Sequence, residues 1–296
     1  MQQHPPIHCV VYGNWGSGKS TFFATWPKPM YVLFTDPPDK AAPYWRRGLI
    51  EHLTNNTTVI KSRLDPTRTL IHIDYFADSN PREPQAHMQF RDRFLEVVDT
   101  IATQGGIASL IIDGLTFLEL NARKYAEYGD PKLRTAKDPR QWYAYSAHEC
   151  EELIVQQCGF LRGVNVGIAA HVDARDDEVA GVQVYTPAAP GKLRTRFGMG
   201  FPEMYVAHTL VGGKDKPQRY WLQTRTNHTH AAASGMLEAP DPCEPDYKAL
   251  WVNYDARAAA DAAAIQQQAE RAERGNDNGM TGATDAPETG AAAPKE

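Results

Sequence analysis

Residues 13–21 read GNWGSGKST, which fits G-x-x-x-x-G-K-[ST] with Gly13, Gly18, Lys19 and Ser20 at the defining positions. The stretch follows an apolar run, IHCVVY at 7–12, and opens a segment of helical spacing at 20–25. That is the strand, loop and helix order a phosphate-binding loop requires. Gly13, Gly16 and Gly18 let the backbone aim successive N–H groups inward, where they and the helix N-terminus hold phosphate oxygens. The expected contacts are Gly13, Asn14, Trp15, Gly16, Ser17, Gly18, Lys19, Ser20 and Thr21. Lys19 is expected at the β- and γ-phosphates and the Ser20 hydroxyl on Mg²⁺, so ATP and magnesium are the expected cofactors.

Three further apolar runs, at 30–34, 108–112 and 165–170, are short and bounded by Gly, Asp or Pro, the signature of buried parallel strands. Helical spacing at about 85–103 and 140–161 separates them, which predicts an α/β fold with a mostly parallel sheet between helices. Beyond Val172 the pattern turns to strand pairs at 181–186, 203–211 and 219–225, with a turn at 212–218, expected as antiparallel additions at a sheet edge. The core is expected to close near Gly235. The expected domains are a P-loop core at 1–240, a C-terminal helical segment at 241–274 and a disordered, low-complexity acidic tail at 275–296.

A second carboxylate must hold the metal, and SLIIDG places Asp113 at the carboxyl end of a buried strand. The alternative for Asp113 is a helix cap for the segment that follows, with Thr116 competing. For the group that orients water, Asp36 after YVLFT is the first candidate and Asp74 the next, although DPPD at 36–39 also reads as a capped turn. His171 ends the fourth core strand, where it is either a γ-phosphate contact or structural.

The chain has 296 residues, is 42% hydrophobic and carries a formal charge of −5, so any nucleic-acid contact must come from local patches. Two such patches stand out. Six basic residues against three acidic ones fall between 123 and 140, Lys132, Arg134, Lys137 and Arg140 among them, interleaved with Tyr125, Tyr128, Trp142 and Tyr143. Cations neutralise phosphates while rings stack bases, the chemistry of single-strand binding; an exposed helix end with core aromatics is the plainer reading. GKLRTRFGMGF then groups Lys192, Arg194 and Arg196. His228 and His230 in NHTH lack a third ligand nearby for a metal. Four isolated cysteines offer no zinc or disulfide pattern. No run is long enough to span a membrane, and the start lacks the order of a secretory signal, so a cytoplasmic protein without a membrane partner is expected.

The loop GNWGSGKST, the YVLFTD and SLIIDGLTFL segments, the GIAAH strand and QVYTPAAPGKL together resemble the phage RecA-like ATPases, and more narrowly the Sak-type single-strand annealing proteins. The resemblance covers about residues 7–235. It implies a RecA-like P-loop core that binds single-stranded DNA, assembles into a homo-oligomeric ring or filament, promotes annealing, and works with a single-strand DNA-binding protein in the host cytoplasm. By position, Gly18, Lys19, Ser20 and Asp113 match the nucleotide and metal residues. Asp36 falls where the family carries a catalytic Glu, and His171 where it carries a Gln that couples nucleotide to DNA; both are departures. Lys192 is expected to present a cation to a neighbouring subunit's nucleotide, and Arg194 and Arg196 to meet DNA. Two other functions fit the same loop: a phosphotransferase acting on a nucleoside or nucleotide, and a nucleotide-gated assembly protein with little turnover.

Overall fold

A computed structural model describes residues 4–80, 82–177, 181–210 and 218–277, with the side chains of 177 and 271–277 excluded. The expected turn at 212–218 falls outside these residues apart from Gln218, and the tail falls outside them beyond 277.

Chain order is β1 (His8–Tyr12), α1 (Lys19–Phe23), β2 (Met30–Phe34), α2 (Ala42–Trp45), β3 (Leu49–Thr54), β4 (Thr57–Lys61), β5 (Thr69–Tyr75), α3 (Ala86–Thr103) and β6 (Ser109–Asp113). There follow α4 (Leu115–Lys124), α5 (Arg140–Glu151), β7 (Asn165–Ala170), β8 (Val172–Asp177), β9 (Val182–Pro187), α6 (Leu193–Arg196), β10 (Glu203–Leu210), β11 (Arg219–Gln223), β12 (Ala233–Ser234) and α7 (Val252–Asp277). One sheet runs β11-β10-β1-β7-β6-β2-β5-β4-β3, with β12 pairing β10 off that path. The six strands from β10 to β5 are mutually parallel. This is the mostly parallel α/β architecture the RecA-like resemblance implies.

Period-two alternation explains the layers. Val10, Tyr12, Leu110, Ile112, Val166 and Ile168 share one core with Phe90 and Phe94 of α3 and Leu118 of α4. Phe22 and Phe23 of α1 and Trp26 form an aromatic cluster of their own, joined by Tyr247. Each fully buried Phe contributes roughly 2–3 kcal/mol, so these two layers hold the sheet against its entropy cost.

Three features depart from expectation. First, β10 pairs antiparallel with β11 as expected but joins the sheet parallel to β1, with Cys9 opposite Glu203. A parallel return needs a crossover, and residues 188–202, containing α6, supply one. Second, the partner of β9 is β8, and the two form a separate antiparallel sheet. Third, β5 is a core strand with β4 and β3 added antiparallel beyond it. No continuous apolar run marks β5, because it alternates Ile71 and Ile73 with His72 and Asp74, which join Tyr31 and Thr57 in a polar network.

Packing continues past β12. Cys243 exchanges both backbone hydrogen bonds with Leu222, and Leu250 and Trp251 are buried, so the first compact unit runs to Asn253. The second unit begins at Tyr254 with most of α7, rich in Ala, Gln and Glu, residues that favour helix intrinsically. All four cysteines are buried and unbridged. Among the described residues no helix is long and apolar enough to cross a membrane.

Candidate functional site

The carboxyl ends of β1, β2, β6 and β7 converge on a cleft of about 240 Å³. Its lining contains residues 15–21 of the loop together with Asp36, Asp113 and His171. Four chain segments, spread from the loop to His171, are thus brought together at the sheet edge where α/β proteins bind ligands. Gly18 precedes α1 at φ 88°, a left-handed conformation, and the ring of Tyr220 lies 3.0 Å from where its Cβ would stand. Only glycine satisfies both conditions.

Lys19 Nζ donates to the carbonyls of Gly13 and Asn14 at 2.9 and 3.0 Å, so the loop is curled around its own lysine. Burial lowers the pKa of Lys19, opposed by the carboxylates of Asp113 and Asp36. Of the remaining loop residues, Asn14 and Thr21 are exposed and Gly13 and Ser17 buried, while Trp15 is 73% exposed.

Asp113 does not cap α4, whose N-terminus has no side-chain cap. Its buried carboxylate instead accepts from Ser20 and, at 2.7 Å, from the Tyr44 hydroxyl. Burial raises its pKa; the two hydrogen bonds and Lys19 oppose that. Tyr44 is itself fully buried on α2. Tyr44→Phe should cost about 2 kcal/mol of folding stability, the worth of a hydrogen bond to a charged group, measured by urea denaturation at pH 8. A loss below a few tenths would show that the carboxylate finds another donor.

Asp36 leaves β2 at Thr35 and enters a turn whose short helix, Pro38–Ala41, also has no side-chain cap. One carboxyl oxygen, Oδ1, is buried without a hydrogen-bond partner. It approaches Gly114, where a Cβ would stand 2.2 Å from it, and Gly114 sits at φ 116°. Burial, and next the charge of Asp113, push the Asp36 pKa up to about 7 against the pull of Lys19 and Lys40. A carboxyl whose folded pKa exceeds its unfolded value loses stability as pH rises between the two. Asp36→Asn should therefore gain on the parent protein from pH 4 upward and level off above about 7, by on the order of 3 kcal/mol. Denaturation midpoints at pH 5 and pH 8 test this; an equal difference at both values would refute it.

His171 lines the same cleft half-buried, its backbone N–H donating to Thr116 Oγ1 at 3.2 Å, and burial lowers its pKa. Asp74 is absent from the lining: it accepts from Tyr31, Thr57 and His72 and pairs with Arg93 at 3.2 Å, so it is committed to the β2–β5 network. Lys192 is exposed and does not line the cleft. Arg194 pairs with Asp173 at 3.5 Å and Arg196 with Glu151, so the basic cluster of the sequence is largely neutralised within the fold. In the other patch Lys132, Arg134, Lys137 and Arg140 are all exposed, Arg140 pairing with Asp138 at 3.1 Å. Of its rings, Tyr128 and Tyr143 are exposed, the Arg123 guanidinium lies over Tyr143 at 4.7 Å, and Trp142 is tied to the Leu133 carbonyl. His230 stacks on Tyr185 and meets His208.

Sequence reasoning missed Lys40, Tyr44 and Tyr220. Lys40 had a signal, in the stiff DPPDKAAPYW segment that begins at the strand-end acid; Tyr44, in a Pro-rich turn, and Tyr220, two hundred residues from the loop it touches, had none.

The donors suit a triphosphate and its magnesium. Ser20 and Asp113 face each other as hard oxygen ligands, and the orphaned Asp36 oxygen is a ready acceptor.

No protein-family model matches the chain. No curated protein matches it either. Among solved structures it is similar to the assembled ATPase EscN of the enteropathogenic E. coli type III secretion system, at 11% identity and a TM-score of 0.41. The alignment covers 68% of this chain and 43% of that one, so the chain spans less than half of that protein's length.

Proposed function

We propose that this chain is a nucleoside triphosphatase of RecA-like type that binds ATP with magnesium and acts on single-stranded DNA as an annealing protein. The observation that carries the reading is the convergence of Lys19, Ser20, Asp36 and Asp113 on one cleft. Bound magnesium would supply charge neutralisation at the phosphates, with Ser20 and Asp113 as its protein ligands. Lys19 holds the phosphates, Tyr44 fixes the rotamer of Asp113, and the helix N-terminus adds N–H donors. Asp36, with an unpaired oxygen and a raised pKa, accepts the proton of the attacking water. His171 contacts the terminal phosphate from β7, and a cation from Lys192 acts on a neighbouring subunit in a homo-oligomer.

The DNA part rests on the exposed cations at 132, 134, 137 and 140 beside the exposed rings of Tyr128 and Tyr143. A second reading, nucleotide-gated assembly with little turnover, is favoured by one observation: the chain carries the shorter Asp36 where the resemblance implies a catalytic Glu, and a shorter acid holds water differently.

ATP turnover with and without single-stranded DNA, at two salt concentrations, tests the proposal. DNA-stimulated turnover that weakens steeply with salt supports it. Replacing Lys132, Arg134, Lys137 and Arg140 together by alanine should then lower affinity for single strands by 10-fold or more, about two to three units of salt slope being lost. Turnover indifferent to DNA, with assembly that depends on nucleotide, favours the second reading.

A further inference from the structure

The phosphate cleft has two cations in its lining, Lys19 and Lys40. Lys19 is held by the loop's own carbonyls, whereas Lys40 stands on the short helix Pro38–Ala41 that follows Asp36. Its mount is stiff: Pro37 and Pro38 fix the chain leaving Asp36, and Ala41 and Tyr44 anchor the far side in the core. At its tip, Lys40 Nζ lies 4.9 Å from the ring centroid of Trp15. Its nearest carboxylate, Asp39 at 3.9 Å, is three-quarters exposed, so that pair binds weakly. The charge of Lys40 is felt at Asp36, whose pKa it pulls down.

We propose that Lys40 is a second phosphate-binding cation, seated on Trp15 and able to turn onto the terminal phosphate of a nucleoside triphosphate, so that the site distinguishes triphosphate from diphosphate. This rests on the phosphate-loop reading given above. The magnitudes favour the turn: an exposed cation–π contact is worth about 0.5–1 kcal/mol, and a charge-assisted bond to phosphate roughly twice a neutral hydrogen bond or more. Four rotatable carbons let the ammonium cover the distance while the backbone stays fixed. Lys40 lies beside Asp36, where hydrolysis would begin, and therefore meets the last phosphate, adding to the hold of Lys19 there. It is a cation from within the same chain, separate from the one that Lys192 presents to a neighbour.

The test uses the full chain with magnesium and either ATPγS or ADP, titrated calorimetrically. Lys40→Met should weaken ATPγS binding about 10-fold and leave ADP within about twofold, ADP serving as the check on folding, and Lys40→Arg should restore most of the difference. Tryptophan emission should shift with ATPγS and not with ADP, and Trp15→Phe should remove the shift. An unchanged ATPγS-to-ADP ratio in Lys40→Met, equal weakening of both, or an emission shift that survives Trp15→Phe overturns the inference and leaves the loop reading standing. If the parent protein binds neither nucleotide, the loop reading fails first and the role of Lys40 with it.

Discussion

Lys19→Ala will lower affinity for magnesium-ATP by about 100-fold or more, the loss of two or more charge-assisted contacts to phosphate. The fold will survive it. Burial depresses the Lys19 pKa, so its charge is a cost to the folded protein that the variant no longer carries. Of the two carbonyls that it now satisfies, that of Asn14 is exposed and that of Gly13 sits at a part-buried contact, so water can take up at least the first. Calorimetric titration beside a thermal melt separates the two effects: a melting temperature at or above that of the parent with binding gone is the expected pair. Retained tight binding would mean that the loop does not hold phosphate.

The second large effect is chemical. Asp36→Asn keeps the size and the polar atoms of the side chain but cannot accept a proton from water, and kcat should fall by about 10²–10⁴ while affinity for ATPγS stays within about twofold. In the parent protein the rate should rise with pH as Asp36 ionises, because only the carboxylate is a base. The protein alone sets that pKa at about 7, in part through the neighbouring charge of Asp113. A cation held by Asp113 cancels this repulsion, so the kinetic midpoint should fall below the value for the protein alone. The variant's residual rate should be flat across the same range. Hydrolysis that survives in Asp36→Asn assigns the water to another group, and Asp74 is not that group, since its oxygens are spent on Tyr31, Thr57, His72 and Arg93.

Much of the site was legible in the sequence because local signals coincide with topology there. GNWGSGKST and SLIIDG each end a continuous apolar strand, and the sheet brings such strand ends to one edge. Strands that face a polar partner were not legible: β5 spends alternate positions on His72 and Asp74, and so lacks the run that betrays β1, β6 and β7. The direction of β10 was hidden as well, since the residues that form its crossover read as a basic loop, and only α6 turns them into a return path. Tyr44 was invisible for a related reason: a tyrosine in a Pro-rich turn carries no mark of the buried carboxylate it serves. Within the basic cluster at 192–196 the sequence carried no mark of the acids that the fold sets beside two of its cations, Asp173 at Arg194 and Glu151 at Arg196.

The end of β7 is tethered on both sides, its N–H at His171 to Thr116 on α4 and its carbonyl to the N–H of Ala188, which leads into the crossover. A residue fastened this way works as a yoke. Whatever displaces His171 must drag the first turn of α4 and the stem of the segment carrying Lys192, so a disturbance as small as a missing phosphate would be reported at a distance through one threonine hydroxyl and one backbone link.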